Sequence, residues 1–326
     1  MTGNVRGALL ALAAFAAFAS HDAVIKALGG QFAPAQILFF ATLFGFPLAS
    51  LMLMRDRTDG NLLPRHPWWV ALRTVAAAVG ALSAFYAFTT LPLAQVYAIL
   101  FAAPLLITLL AIPLLGERVR LRRGIAVLVG LAGVMVVLRP GTAELGPGHL
   151  AALAAAVFAA LSAIIVRKIG AVERSVVLII YPLMANFLLM GALLPFVYVP
   201  MEAGQLGATA VIAGLGFVGM LLVIGAYRAG EAVVIAPMQY SQILWATLWG
   251  VVFFAEVPDA ATLAGAGVVI ASGIYIVLRE GRAGTSQTRP VLAARSRAGT
   301  PTAPAVPHDR PSGSDRAPPT GPDRRP

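Results

Sequence analysis

Apolar residues fill long continuous stretches of this chain, and short polar or charged segments separate them. Ten stretches approach the roughly 20 residues that an α-helix needs to cross the hydrocarbon core of a bilayer. A membrane β-barrel would alternate apolar and polar positions in shorter segments, and these stretches do not alternate. The pattern predicts an all-α membrane protein with ten transmembrane helices, at about 7–27, 34–54, 68–90, 92–115, 122–138, 148–166, 174–198, 207–228, 231–255 and 260–278.

The chain repeats itself after about 140 residues. Arg139 and Arg279 close two matching apolar stretches, and Glu117 and Glu256 end the stretches before them. Such a period indicates a duplication, so we expect two five-helix repeats at 1–141 and 142–281. Because five is an odd number, the second repeat should be inverted in the membrane, an arrangement common in secondary transporters.

The distribution of basic residues supports this topology. The net charge of +10 invites a nucleic-acid interpretation, but seven of the 24 basic residues lie after residue 283. With the N-terminus in the cytoplasm, 15 of the other 17 fall on the inner side and only Lys26 and Arg139 fall outside. We therefore expect the lipid bilayer as a partner, no nucleic acid, and both termini in the cytoplasm.

Composition narrows the function further. Hydrophobic residues make up 59% of the chain and charged residues 12%, against about 25% charged in soluble domains. The chain has no cysteine, and no phosphate-binding Gly-rich motif ends in Lys and Ser or Thr. We expect no catalytic residue, metal or cofactor, and transport driven by a gradient or by exchange. Residues 282–326, rich in Pro, Arg, Ser and Thr, are predicted to form a disordered cytoplasmic tail.

Asp22 is the one acid well inside an apolar stretch, where an isolated charge is costly. One interpretation pairs it with Lys26, four residues on, near the outer end of the helix. The other places Asp22 and His21 at a central substrate or proton-coupling site. The second repeat has Ser162 and Ala163 at the matched positions, which favours a specialised role for the acid and the histidine.

The ninth stretch is the most polar. Gln242, Trp245 and Trp249 fall on one stripe of an α-helix, and Gln239 precedes them. Amides and indole rings on one stripe suit a neutral, planar, hydrogen-bonding solute. Hydrogen bonding between helices, or anchoring of Trp249 at the lipid interface, is the alternative.

Several other residues are candidates for lesser roles. Pro237, just before the amides, is a predicted hinge because proline removes a backbone donor. Glu117 and Glu256 are matched between the repeats, so we expect them to serve the fold. Weaker candidates for substrate contact are Tyr86, Tyr97, Tyr181 and Asn186, and close helix packing is expected at Gly130, Gly133, Gly265, Gly267 and Gly273.

The motifs Leu91–Gln95, Pro113–Glu117 and Arg139–Gly141 resemble those of the drug/metabolite transporter superfamily, EamA type. The resemblance covers residues 7–281 and departs from the pattern only mildly, with Ala255 before the second Glu. It implies two repeats, alternating access and a small-molecule site near the midplane. Members of this family move amino acids, nucleosides, vitamins, S-adenosylmethionine and toxic compounds across bacterial inner membranes.

Within that family, the segments 20–26, 71–74, 227–232 and 239–242 are most similar to bacterial riboflavin uptake members. The resemblance implies riboflavin as the solute, and a flavin would suit the stripe of amides and indoles, as would other planar metabolites. An exporter of amino acids or related metabolites is the main alternative, and there Asp22 would be a counter-ion. A non-transporting receptor or scaffold is an alternative of another class.

Overall fold

The computed structural model describes residues 3–53, 62–117, 121–141 and 145–281, which form helices and no strand. The predicted all-α fold is thus confirmed. In chain order the helices are α1 Gly3–Gly29, α2 Pro34–Leu53, α3 Pro67–Thr90, α4 Leu93–Leu100, α5 Ala103–Leu115, α6 Leu121–Leu138, α7 Pro147–Ile169, α8 Ser175–Val197, α9 Ala203–Ala229, α10 Ala232–Ile235, α11 Gln242–Phe254 and α12 Ala260–Gly281, with a 3-10 segment at Ala236–Ser241.

Within the described ranges, eight helical stretches are long and apolar enough to cross a membrane, with α4 and α5 taken together as Leu93–Leu115. The apolar part of α2, Pro34–Ser50, is shorter. The predicted ninth span is not one helix, because α10, the 3-10 segment and α11 divide it. The structure therefore supports eight of the ten predicted spans, and the fourth of them consists of two consecutive helices, α4 and α5.

The fourth helix of each half is interrupted, and a proline follows each break. Phe101 and Ala102 separate α4 from α5, and Pro104 lies in the first turn of α5. Pro237 lies at the start of the 3-10 segment after α10. Proline has no backbone N–H, and in the first turn of a helix that group would have no partner within the helix. A new helix can therefore begin at each proline without losing a hydrogen bond. Interrupted backbone at membrane depth is tolerated where protein surrounds it.

Helix packing joins the two halves of the chain. The helix α1 packs against α9, and its match α7 packs against α3. Likewise α11 packs against α1 and α5 against α7, while α2 meets α8 and α6 meets α12. Each of these contacts maps onto another, or onto itself, when the halves are exchanged. The main hydrophobic core consequently contains residues of both halves.

Glycines permit the closest approach between α6 and α12. A Cβ on Gly133 would lie 2.9 Å from the carbonyl oxygen of Gly265, and a Cβ on Gly130 would meet Leu105. The predicted close packing holds for these glycines, and Gly273 lies against Tyr240. It is wrong for Gly267, because a Cβ there would have no described atom within 4 Å.

The predicted tail at 282–326 lies outside the described residues, as do Arg118 and Arg120, which the sequence predicts on the inner side.

Candidate functional site

Asp22 is buried on α1, with 1% of its surface exposed. Its Oδ1 lies 2.7 Å from Nδ1 of His21, and the hydroxyl of Tyr97 donates to its Oδ2. Each oxygen of the carboxylate therefore has a hydrogen-bonding neighbour, as a buried acid requires. Tyr97, a weaker candidate in the sequence, is thus brought directly to the acid.

One of the two interpretations of Asp22, a pair with Lys26, is wrong. Nζ of Lys26 lies 2.7 Å from Oε1 of Glu256 and donates to the carbonyl oxygen of Leu91 at 2.7 Å. The i, i+4 spacing does put both side chains on one face of α1. An acid at the end of α11 and a free carbonyl at the end of α3 nevertheless hold the ammonium, so it does not neutralise Asp22.

His21 lies where helices of both halves converge. Its ring makes an edge-to-face contact with Phe85 of α3, with 6.1 Å between the ring centroids. On α9, a Cβ on Gly216 would lie 3.4 Å from Cδ2 of the histidine, an ordinary van der Waals distance, so α9 packs closely against the ring. The side chain of His21 therefore lies between the two halves, and Asp22 is its hydrogen-bonding neighbour.

Aromatic rings connect Asp22 to the interrupted ninth span. The ring centroids of Tyr97 and Phe101 lie 5.9 Å apart, and those of Phe101 and Tyr240 lie 5.0 Å apart in an edge-to-face contact. Tyr240 is buried. Sequence reasoning missed Phe101 and Tyr240, because each looks like one more apolar position within its stretch.

Gln242 begins α11 and is only 5% exposed. Within the described part of the chain, its amide nitrogen has no acceptor. Trp245 and Trp249 on the same helix are half-buried, and the indole nitrogen of Trp249 also lacks a described partner. The predicted stripe is present from Gln242 onward, but Gln239 lies in the 3-10 segment and so falls outside its α-helical register.

The remaining candidates are dispersed. Tyr181 lies near the start of α8, and its hydroxyl donates to the carbonyl oxygen of Leu62 at 3.3 Å, away from the Asp22 cluster. Asn186 is buried on the same helix, and among described atoms its Oδ1 has no donor. Tyr86 is half-buried on α3. Ser162, matched to His21, is buried on α7 and its hydroxyl likewise has no partner in the described ranges.

The described residues contain no group of three His, Asp or Glu side chains placed to hold a metal ion. The arrangement offers a buried carboxylate with an imidazole and a phenol. The described residues also include the buried amides of Gln242 and Asn186, each with one polar atom that has no described partner. Such groups bind and orient a polar solute, or take up and release a proton.

An all-helical, multi-pass membrane protein built from two halves, with buried polar groups between them, has the form of a solute carrier. The sequence profile of the EamA-like transporter family matches the chain twice, at residues 5–139 and 146–279. The chain belongs to the EamA-like transporter family, and the resemblance noted in the sequence is confirmed.

Several characterised transporters are similar along most of their length. The pseudopaline exporter CntI of Pseudomonas aeruginosa (strain UCBPP-PA14) is 27% identical over 275 residues, covering 83% of this chain and 95% of that protein. An S-adenosylmethionine uptake transporter of Rickettsia felis is 24% identical, covering 81% and 90%. A riboflavin transporter of Rhizobium johnstonii is 28% identical, covering 74% and 79%. One crystal structure matches with a TM-score of 0.55 and 22% identity over 82% of this chain and 94% of the other, a likeness of fold.

Proposed function

We propose that this protein is a secondary carrier that moves a neutral, planar, hydrogen-bonding metabolite across a bacterial inner membrane by alternating access, and that riboflavin is its solute. The observation that carries this proposal is the buried amide of Gln242, which has no acceptor among the described atoms. A buried donor without a partner costs free energy. A solute carbonyl would satisfy it, and the rings of Trp245 and Trp249 follow on the same helix.

The neighbouring acid fits a neutral solute. Both oxygens of Asp22 have hydrogen-bonding neighbours within the protein, so the carboxylate does not depend on a cationic solute. Asp22, with His21, would couple solute movement to protons by exchanging a proton when the site opens to water. Pro237 would be the hinge, since it begins the 3-10 segment between α10 and α11. Gln239 and Asn186 are proposed further contacts of the solute.

We further propose that the two repeats are inverted relative to one another, with both termini in the cytoplasm. The supporting observations are the two family matches, the helix contacts that exchange between the halves, and the excess of basic residues in alternate loops. A solute held between inverted repeats faces equivalent paths to both sides.

Growth of a riboflavin-auxotrophic bacterium that lacks riboflavin uptake tests the solute. Expression of the wild-type chain should restore growth on micromolar riboflavin, and the Gln242→Ala variant should need a higher concentration. Immunoblotting of membrane fractions shows that both chains are present in equal amount. Absence of rescue and of labelled riboflavin accumulation, with the wild-type protein in the membrane, excludes riboflavin as an imported solute.

A second candidate is a carrier of an amino-acid-containing metabolite, in either direction. The buried carboxylate of Asp22 favours it, because a protonated amine of the solute would be a natural counter-ion. The name of the S-adenosylmethionine uptake transporter, a relative of this chain, includes an amino-acid-containing compound and so supports this candidate. Under this alternative, Asp22→Asn would abolish transport at every pH, and an exporter would confer resistance to its solute.

A further inference from the structure

Two matched acids follow α5 and α11, and the backbone holds them in the same way. Gly116 and Ala255, which precede them, both adopt left-handed backbone conformations, with φ of 68° and 53°. The amide of Glu117 then donates to the carbonyl oxygen six residues earlier at 3.2 Å, and that of Glu256 does the same at 2.9 Å. Since the two helix ends are built alike, the two carboxylates project from equivalent places.

Each acid binds a cation of the other repeat. Glu256 pairs with Lys26 at the end of α1, and Glu117 pairs with Arg167 near the end of α7. Lys26 and Arg167 are themselves matched positions of the duplication. One ion pair therefore belongs to each end of the molecule, and each joins the two repeats.

The two acids differ in the hydrogen-bond donor to their second carboxylate oxygen. Oε2 of Glu256 accepts the backbone N–H of Leu93 at 3.0 Å, where α4 begins. Oε2 of Glu117 is buried, and no described donor reaches it. Its matched donor would be the N–H of Ala232, where α10 begins. A buried carboxylate oxygen without a donor is costly, so this half of the arrangement is incomplete.

Helix packing follows the same asymmetry. At the Glu256 end, α1 packs against α3 and α4 packs against α11. The matched pairs, α7 with α9 and α5 with α10, are not among the described helix pairs that pack extensively. The helices are therefore drawn together around the complete acid and stand apart around the incomplete one.

We infer that Glu256 and Glu117 are alternating gate residues: each closes its end of the transport path by binding the start of the adjacent interrupted helix. In this structure Glu256 holds α4 through Leu93 and closes the path at that end, while among the described residues the Glu117 end lacks the matching contact. In the opposite state, Glu117 accepts the N–H of Ala232 and Glu256 releases Leu93. Lys26 and Arg167 orient the two acids in both states. This proposal rests on transport by the chain but not on the identity of the solute.

Distances between spin labels test it directly, because the chain contains no cysteine and needs no prior removal of thiols. One pair of labels, on cysteines introduced at Gly30 and Thr90, reports the Glu256 end. A second pair, at Ala171 and Arg228, reports the Glu117 end. All four positions are exposed. Double electron–electron resonance of each pair, in lipid nanodiscs without solute, gives the populations of the open and closed states.

The variants Glu256→Gln and Lys26→Met should lengthen the Gly30–Thr90 distance and shorten the Ala171–Arg228 distance, with a shift of about fivefold or more in the ratio of the two states. Glu117→Gln should shift both distances the other way. Glu202→Gln, an exposed acid at the start of α9, is the matched control and should change neither.

Equal distance distributions in Glu256→Gln and Glu202→Gln overturn the proposal, as does lengthening at one end without shortening at the other. Because no solute is present, failure of the riboflavin assignment leaves this result unaffected.

Discussion

Tyr97 donates its hydroxyl hydrogen to Oδ2 of Asp22, 75 residues earlier in the chain. This contact joins α4 to α1 inside the first repeat and satisfies one oxygen of the most deeply buried acid of the site. Phe101 and Tyr240 extend the same row of rings into the second repeat. The acid is therefore held in place by the fold.

Removing this donor should destabilise the protein. In Tyr97→Phe, Oδ2 of Asp22 loses the hydrogen bond from Tyr97 while remaining buried, a change worth about 1–3 kcal/mol. We expect a lower Tm in detergent by thermal unfolding of the purified protein. Tyr86→Phe, at a half-buried tyrosine of α3, is the control and should unfold close to the wild type. Equal Tm values for the two variants would contradict the importance of the contact.

Asp22→Asn tests proton coupling. If Asp22 exchanges a proton during transport, wild-type uptake should vary with external pH, and the variant should lose that dependence because its amide does not titrate. Initial rates of labelled-solute uptake between acidic and mildly basic external pH give the comparison. Asp259→Asn changes an exposed acid that pairs with Arg139 and serves as the control. Unchanged rates and unchanged pH dependence in Asp22→Asn would leave that acid with a structural role alone.

Gln242→Ala separates solute binding from helix association. Because no described acceptor meets the amide nitrogen of Gln242, its loss should leave Tm nearly unchanged. Loss of one hydrogen bond to the solute should raise KM by about tenfold with a smaller change in the maximal rate. Thr247→Ala, at a half-buried position of α11, is the control. A lower Tm with an unchanged KM would assign the amide to helix packing.

The contact of Tyr240 with α12 makes a packing prediction. A Cβ on Gly273 would overlap the hydroxyl of Tyr240, so Gly273→Ala should lower Tm. Combining it with Tyr240→Phe removes the overlapping oxygen and should restore part of the loss. Gly267→Ala, where a Cβ meets open space, should be neutral or stabilising because alanine favours helix. Similar losses in Gly273→Ala and Gly267→Ala would show that the overlap relaxes without cost.

The all-helical fold and the duplication could be predicted from the sequence, because the apolar pattern shows both the length of each span and the spacing of the repeats. The partner of Lys26 could not be predicted in this way. Sequence spacing identifies only the local i, i+4 neighbour, Asp22, whereas the observed partner, Glu256, lies in the other repeat. The repeat spacing did contain a usable signal. Lys26 is matched to Arg167 and Glu256 to Glu117, so a pair between Arg167 and Glu117 would predict the pair between Lys26 and Glu256.

The ninth span shows a second limit. Periodicity assumes one helix type, and the 3-10 segment changes the direction of Gln239 relative to Gln242. Pro237 marked the break, but proline alone does not say which side of it keeps the α-helical register. The prediction of close packing at Gly267 was wrong for a related reason, because composition identifies a helix rich in small residues without showing which glycines face a neighbouring helix.

Counterflow in proteoliposomes tests the central claim most directly. Liposomes containing the purified protein and loaded with unlabelled riboflavin should transiently concentrate labelled riboflavin from outside, because a carrier site that alternates between two faces exchanges solute without net flow. We expect accumulation above that of protein-free liposomes, and less for Gln242→Ala at equal protein content and limiting external riboflavin. No accumulation by the folded wild-type protein at any riboflavin concentration would contradict the account.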